Sequence, residues 1–180
     1  MKKLNLTQHI FLDQIKINQE IINYFKKTHL VNKQVDDNGL ETSLYFSQLA
    51  MQNKILSMVS SLLEPSFGRI CKELNFSSVK FKDVWLQKYK LASNHDVHVH
   101  KIKNDKTQIN NYSFNLYLEC TKKSGGTTFF NLGYPYVYLN QINIKPEVGK
   151  LIVFLGCLPH TANPSKDNKK FILAGNVEFK

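Results

Sequence analysis

The hydrophobic period of the chain changes at about residue 76. Before it, apolar residues Ile10, Phe11, Ile15, Ile21, Ile22 and Phe25 fall close to helical spacing, which predicts a helix from about Thr7 to Lys27 with Thr7 as its N-cap. The stretch Val35 to Thr42, with Asp36, Asp37, Asn38 and Gly39, reads as a loop. Leu49, Gln52, Leu56, Val59 and Leu63 then step by three and four, predicting a second helix that Pro65 closes. One or two further helical turns fit Phe67 to Leu74.

After residue 76 the alternation is that of strands. Val79, Phe81, Trp85 and Tyr89 occupy odd positions. From Ser113 to Cys120, Phe114, Leu116, Leu118 and Cys120 share one face, with Asn115 and Tyr117 on the other. Thr127 to Phe130, Lys150 to Leu155 (entered by Gly149) and Lys169 to Phe179 complete the set, and Gly125 with Gly126 suggests a hairpin turn. Short strands separated by turn signals predict a sandwich or barrel. In the last strand Phe171, Leu173, Val177 and Phe179 face one way, and Lys170, Ile172, Ala174 and Asn176 the other. Two largely apolar faces predict a sheet with helices on one side and a barrel interior on the other. We therefore expect one α+β domain over 1–180, with 1–76 as a helical covering layer and 77–180 as the β core.

Composition narrows the function. At 180 residues and 42% hydrophobic, the chain can bury one substantial core. It has no apolar run of about 18 residues and no signal-peptide pattern, so no membrane association is expected. Three widely spaced cysteines, Cys71, Cys120 and Cys157, point to reduced thiols and a cytoplasmic setting, with Cys157 as a small buried hydrophobe. The net charge of +10 comes from scattered lysines, and Arg69 is the one arginine, which argues against a nucleic-acid partner.

The candidate chemistry lies in four histidines. The segment SNHDVHVHK holds His95, His98 and His100, with Asp96 among them. In a regular strand Asp96, His98 and His100 would share a face. His160 follows a strand and a turn in GKLIVFLGCLPH, so two distant segments could bring imidazoles to one point. Lys170 lies ten residues further on, on the inward face of the last strand, where a buried ammonium needs a partner.

In order and spacing these residues resemble the Fe(II)/2-oxoglutarate oxygenases, and in particular a small bacterial and phage subgroup akin to prolyl hydroxylases. That resemblance is carried by Trp85 with Tyr89, His98 with His100, YSFNLYLE, GGTTFF, KPEVGKLIVFLG, His160 and Lys170, over about residues 79 to 180. It implies a double-stranded β-helix, or jelly roll, with N-terminal helices packed on one sheet. Fe(II), 2-oxoglutarate and O2 follow as cofactor and cosubstrates, with a peptide or small-molecule substrate hydroxylated at a C–H bond. His98 and His160 take two ligand positions. The family usually has Asp or Glu where this chain has His100. His100 is favoured as third ligand because it matches that position, with Asp96 the alternative carboxylate. Lys170 matches the residue that receives the distal carboxylate of 2-oxoglutarate. Tyr117 could share that contact, and Asn115 and Asn176 could line the pocket. The rival reading is a cupin-like jelly roll that binds a metal or ligand without oxygenase activity.

Overall fold

A computed structural model describes residues 10–37, 39–43, 49–100, 111–130 and 141–180. Thr7, the expected N-cap, and nearly all of the polar loop 101–111, expected to form a lid or rim, lie outside them.

Among the described residues every strand pairing is antiparallel, and the strands form two sheets. The larger contains β1 (Ile10–Gln14), β2 (Gln34–Val35), β3 (Glu41–Ser43), β4 (Val79–Tyr89), β6 (Asn111–Glu119), β9 (Lys150–Leu155) and β11 (Lys170–Phe179). Their order is β1-β9-β6-β11-β4-β3-β2. The smaller sheet, in the order β5-β10-β7-β8, contains β5 (His95–His98), β7 (Thr127–Phe130), β8 (Gln141–Ile144) and β10 (His160–Ala162). With α1 (Gln19–Asn32) and α2 (Leu49–Leu74) this is the expected jelly roll with a helical cover.

The alternation of β11 separates two cores. Phe171, Leu173, Val177 and Phe179 meet Phe25 of α1 and Ile55, Val59, Leu63, Phe67 and Ile70 of α2. The four-residue steps of α2 place these side chains on one stripe. Phe67 sits at the centre, with edge-on contacts to Phe81 and Phe114. The opposite face of β11, with Ile172 and Ala174, closes an inner core with Trp85, Tyr89, Tyr117, Phe129, Ile152 and Phe154.

Three expectations for the first 76 residues need correction. Residues 10–14 form a strand: Ile10 pairs with Phe154 and Gln14 with Lys150. Ile10 then reaches the inner core and Phe11 the helical one. Helix α1 begins later, capped by Asn18, whose side chain accepts from the Ile21 N–H at 2.8 Å. The expected loop at 35–42 is a hairpin turn, with Gly39 at φ +73° and Asp36 accepting from the Leu40 N–H at 2.9 Å. Helix α2 runs through Pro65 to Leu74. A mid-helix proline costs about 3 kcal/mol, and burying Phe67, Ile70 and Cys71 beyond it offsets that cost. No helix among the described residues is long and apolar enough to cross a membrane.

Gly125 and Gly126 do not make a tight hairpin, because β6 and β7 belong to different sheets. They lie where backbones nearly touch: a Cβ on Gly125 would fall 1.9 Å from the Asn163 carbonyl oxygen, and one on Gly126 2.3 Å from that of Ile144.

Candidate metal centre and lysine pocket

Strand pairing brings the histidines together. In the smaller sheet His160 of β10 lies opposite His98 of β5 on one side and opposite Phe129 of β7 on the other. His100 follows β5, its N–H bonded to the Gly156 carbonyl at 2.8 Å. The ring centroids of His98 and His160 are 4.3 Å apart, those of His98 and His100 5.3 Å, and those of His100 and His160 5.0 Å. One ring nitrogen from each of the three lies within 4.8 Å of the other two. Two metal–imidazole bonds of about 2.1 Å span about 4.2 Å end to end, so small ring rotations bring this set onto one ion.

Hydrogen bonds fix the tautomer of all three rings. His98 Nδ1 lies 2.7 Å from the Asp96 carbonyl oxygen, His160 Nδ1 2.9 Å from that of Leu158, and His100 Nδ1 2.9 Å from Asn176 Oδ1. Those oxygens only accept, so each Nδ1 carries the proton and each Nε2 keeps its lone pair. Burial disfavours the cationic form of every ring. It holds His160 at about 3, with the nearby His98 adding to the effect. It brings His100 to about 4 against the hydrogen bond that the ring donates to Asn176, and lowers His98. Neutral imidazoles with a free Nε2 are what a divalent transition metal requires.

A β-bulge decides which neighbour joins them. Along β10 the partners run from His160↔His98 to Ala162↔His95, so three residues of β5 are spanned by two of β10. Alternation is broken there. His95 turns inward, its ring stacked on His98 at 3.9 Å, while Thr161 Oγ1 donates to the His95 carbonyl at 2.6 Å. Asp96, the alternative carboxylate, is exposed, takes a bond from Asn94 Nδ2 at 3.1 Å, and does not join the cluster. No carboxylate among the described residues completes the set. Cys157, expected to be buried, is exposed.

Lys170 is the second feature of the site. It is 1% exposed, and among the described residues Nζ has no hydrogen-bond partner. The ammonium sits 4.0 Å from the centroid of the Tyr89 ring, and burial lowers its pKa to about 7. A narrow cleft connects it to the histidines; Trp85, Gln87, Asn115 and Thr127 also line it. An open groove leads in past Val35, Asp36 and Leu40 on one side and His95, His98 and Val99 on the other.

The other expected pocket residues divide. Asn115 lines the cleft. Tyr117 is buried just behind it, its hydroxyl 2.8 Å from Thr127 Oγ1, so Thr127 is the member of that pair that faces the cavity. Asn176 lines the groove rather than the cleft beside the lysine, and it is bonded to His100, to Ser113 at 2.8 Å and to Asp83 at 2.7 Å, so it also supports the histidine. Sequence reasoning missed Thr127 and Gln87 as lining residues. The signal for Gln87 was available, since it shares the odd-numbered face of β4 with Trp85 and Tyr89.

Comparison with known proteins places the fold. No family profile and no curated protein sequence matches the chain. Solved structures do. The viral collagen prolyl hydroxylase of Paramecium bursaria Chlorella virus-1, determined with 2-oxoglutarate, is 18% identical, with 94% of each chain covered and a TM-score of 0.57. A 2OG-Fe(II) oxygenase family oxidoreductase from Burkholderia pseudomallei is 10% identical, covering 94% of this chain and 84% of that one, with a TM-score of 0.69. HygX from Streptomyces hygroscopicus, with nickel, 2-oxoglutarate and hygromycin B bound, is 9% identical, covering 96% and 83%, with a TM-score of 0.59. The chain thus has the fold of the 2-oxoglutarate oxygenases.

Proposed function

We propose that this protein is an Fe(II)- and 2-oxoglutarate-dependent oxygenase that hydroxylates a C–H bond of a protein side chain or a small metabolite, in the cytoplasm. The observation that carries the reading is the pairing of two features in one cleft: three neutral imidazoles on one side and a buried, unpartnered ammonium on the other. A lysine buried in this way is costly unless an anion joins it. A dicarboxylate reaching from the histidines to Lys170 meets that need.

His98, His100 and His160 would hold the iron, which supplies oxidative chemistry with O2 and 2-oxoglutarate. The protein's part is placement. Lys170 receives the distal carboxylate, and Tyr89 carries the ammonium on its ring face, fixed by donating its hydroxyl to Gln87 Oε1 at 3.2 Å. Thr127 and Asn115, which line the cleft, would offer polar groups to the cosubstrate. Phe154 and Phe129 pack on His160 with centroids 4.6 and 5.7 Å away, and keep water from its back. Trp85, Gln87 and His95 belong to both the cleft and the groove, as do His98 and His100, so a substrate entering by the groove lies beside them.

The test is anaerobic addition of Fe(II) and 2-oxoglutarate to the purified protein. A weak visible absorption band from the chelate appears in the wild type and weakens in Lys170→Ala. A wild type without the band argues for the cupin-like reading.

A further inference from the structure

We infer that Asp83 sets which nitrogen of His100 carries the proton, acting through the side-chain amide of Asn176. The inference rests on the reading of His98, His100 and His160 as ligands, and it names the residue that keeps the third of them in its ligating form.

The geometry is a single rung of the large sheet. Asp83 of β4 lies opposite Asn176 of β11, which lies opposite Ser113 of β6. All three side chains are on the inner face. Asn176 Oδ1 takes bonds from His100 Nδ1 at 2.9 Å and Ser113 Oγ at 2.8 Å, while its Nδ2 donates to Asp83 Oδ1 at 2.7 Å. The backbone N–H of Asn176 also bonds to the Asp83 carboxylate.

An amide can present either end to a neighbour, and the partners decide which. The Ser113 hydroxyl is indifferent, since it both donates and accepts. The imidazole is indifferent too, because a neutral ring donates from one nitrogen and accepts at the other. Burial raises the Asp83 carboxyl, and the two hydrogen bonds from Asn176 oppose that by favouring its ionised form, which only accepts. Asp83 is therefore the one member that forces Nδ2 toward itself and Oδ1 toward His100. That places the imidazole proton on Nδ1 and leaves the Nε2 lone pair for the metal. With the amide reversed, Nδ2 would face His100, the ring would accept at Nδ1, and its proton would block Nε2. His98 and His160 need no such device, because backbone carbonyls fix their tautomers.

Asp83 is thus a positioning residue, and two measurements separate it from a merely structural one. In metal-free protein with 15N-labelled histidine, long-range proton–nitrogen spectra report the tautomer of each ring. The wild type shows His100 with a bare Nε2. Asp83→Ala and the near-isosteric Asp83→Asn show a substantial Nε2–H fraction at His100, with His98 and His160 unchanged. Fe(II) affinity, titrated anaerobically, falls by about 10- to 100-fold in Asp83→Ala, the range typical of lost outer-shell support. The exchanged pair Asp83→Asn with Asn176→Asp restores an acceptor facing His100, and so recovers the wild-type tautomer and affinity. A His100 tautomer that does not respond in either single variant overturns the inference. If the tautomer responds but the wild type binds no iron, the relay stands and the ligand assignment fails.

Discussion

Replacing Lys170 with methionine trades function for stability, in amounts that follow from the lysine's surroundings. Its ammonium is fully buried, with no hydrogen-bond partner among the described residues, and its pKa falls from 10.5 to about 7. At about 1.4 kcal/mol per pKa unit, that corresponds to about 5 kcal/mol for burying the charged form, and about 4 kcal/mol at neutral pH, where half the population has lost its proton. The Tyr89 ring returns about 2 kcal/mol through the cation–π contact. Methionine fills a similar volume without the charge. The metal-free Lys170→Met protein is then about 2 kcal/mol more stable than wild type, a rise of about 5 °C in melting temperature for a chain of this size. The pH dependence has a definite sign. Between about pH 7 and 10.5 the unfolded chain holds the Lys170 proton and the folded protein does not, so wild-type stability rises with pH through that window. The advantage of the methionine variant therefore shrinks as pH rises, and is nearly gone by about pH 10. Urea denaturation of both proteins at neutral and alkaline pH measures it. Adding Fe(II) and 2-oxoglutarate anaerobically raises the stability of the wild type much more than that of the variant. A methionine variant that is no more stable at neutral pH, or whose advantage is independent of pH, refutes the reasoning.

Other predictions follow from the same structure. His160→Ala abolishes metal binding while the circular dichroism of the fold persists; iron retained at one equivalent would contradict the ligand set. His100→Asp preserves or tightens iron binding if that side chain is a ligand, and loss of both binding and turnover would show that the imidazole itself is required. Glu41 is buried among Lys90 at 2.9 Å, Lys33 at 3.0 Å and His29 at 3.6 Å. Burial alone would raise its carboxyl, but the two lysines overcome it and hold the group at about 2. Its folded pKa lies below the ordinary 4.5, so the stabilisation is complete above that pH and is lost as pH falls toward 2. Glu41→Gln should cost about 1–2 kcal/mol at neutral pH, a figure reduced because both lysines are partly exposed, with the deficit closing under acid in thermal melts.

The parts of the site legible in the sequence were those that depend on local spacing. His98 and His100 sit two apart, His160 closes a strand-and-turn segment, and Lys170 falls on the inward phase of a strand ten residues later. What was illegible depends on pairing between distant segments. Ile10, Phe11 and Ile15 satisfy helical spacing over so short a run as well as they satisfy a strand, and only the partnership with β9 decides between them. Asp96 shares the parity of His98, yet the bulge opposite Thr161 exchanges it for His95. Pro65 ends an isolated helix by its local chemistry, but a sheet waiting to be covered carries α2 past it. The role of Asn176 needed the register of β4, β11 and β6 together.

The pairing of His160 with His98 has a mechanical side. Among the described residues β5 borders the smaller sheet, is four residues long, and hangs from β10 alone. Whatever the three rings grip is therefore also a rivet between those two segments. Fraying of this border would withdraw His98 and loosen His100 in the same movement, so release of the gripped ion and peeling of the strand are one event, and slow exchange of the β5 amides with solvent would be the mark of a loaded site.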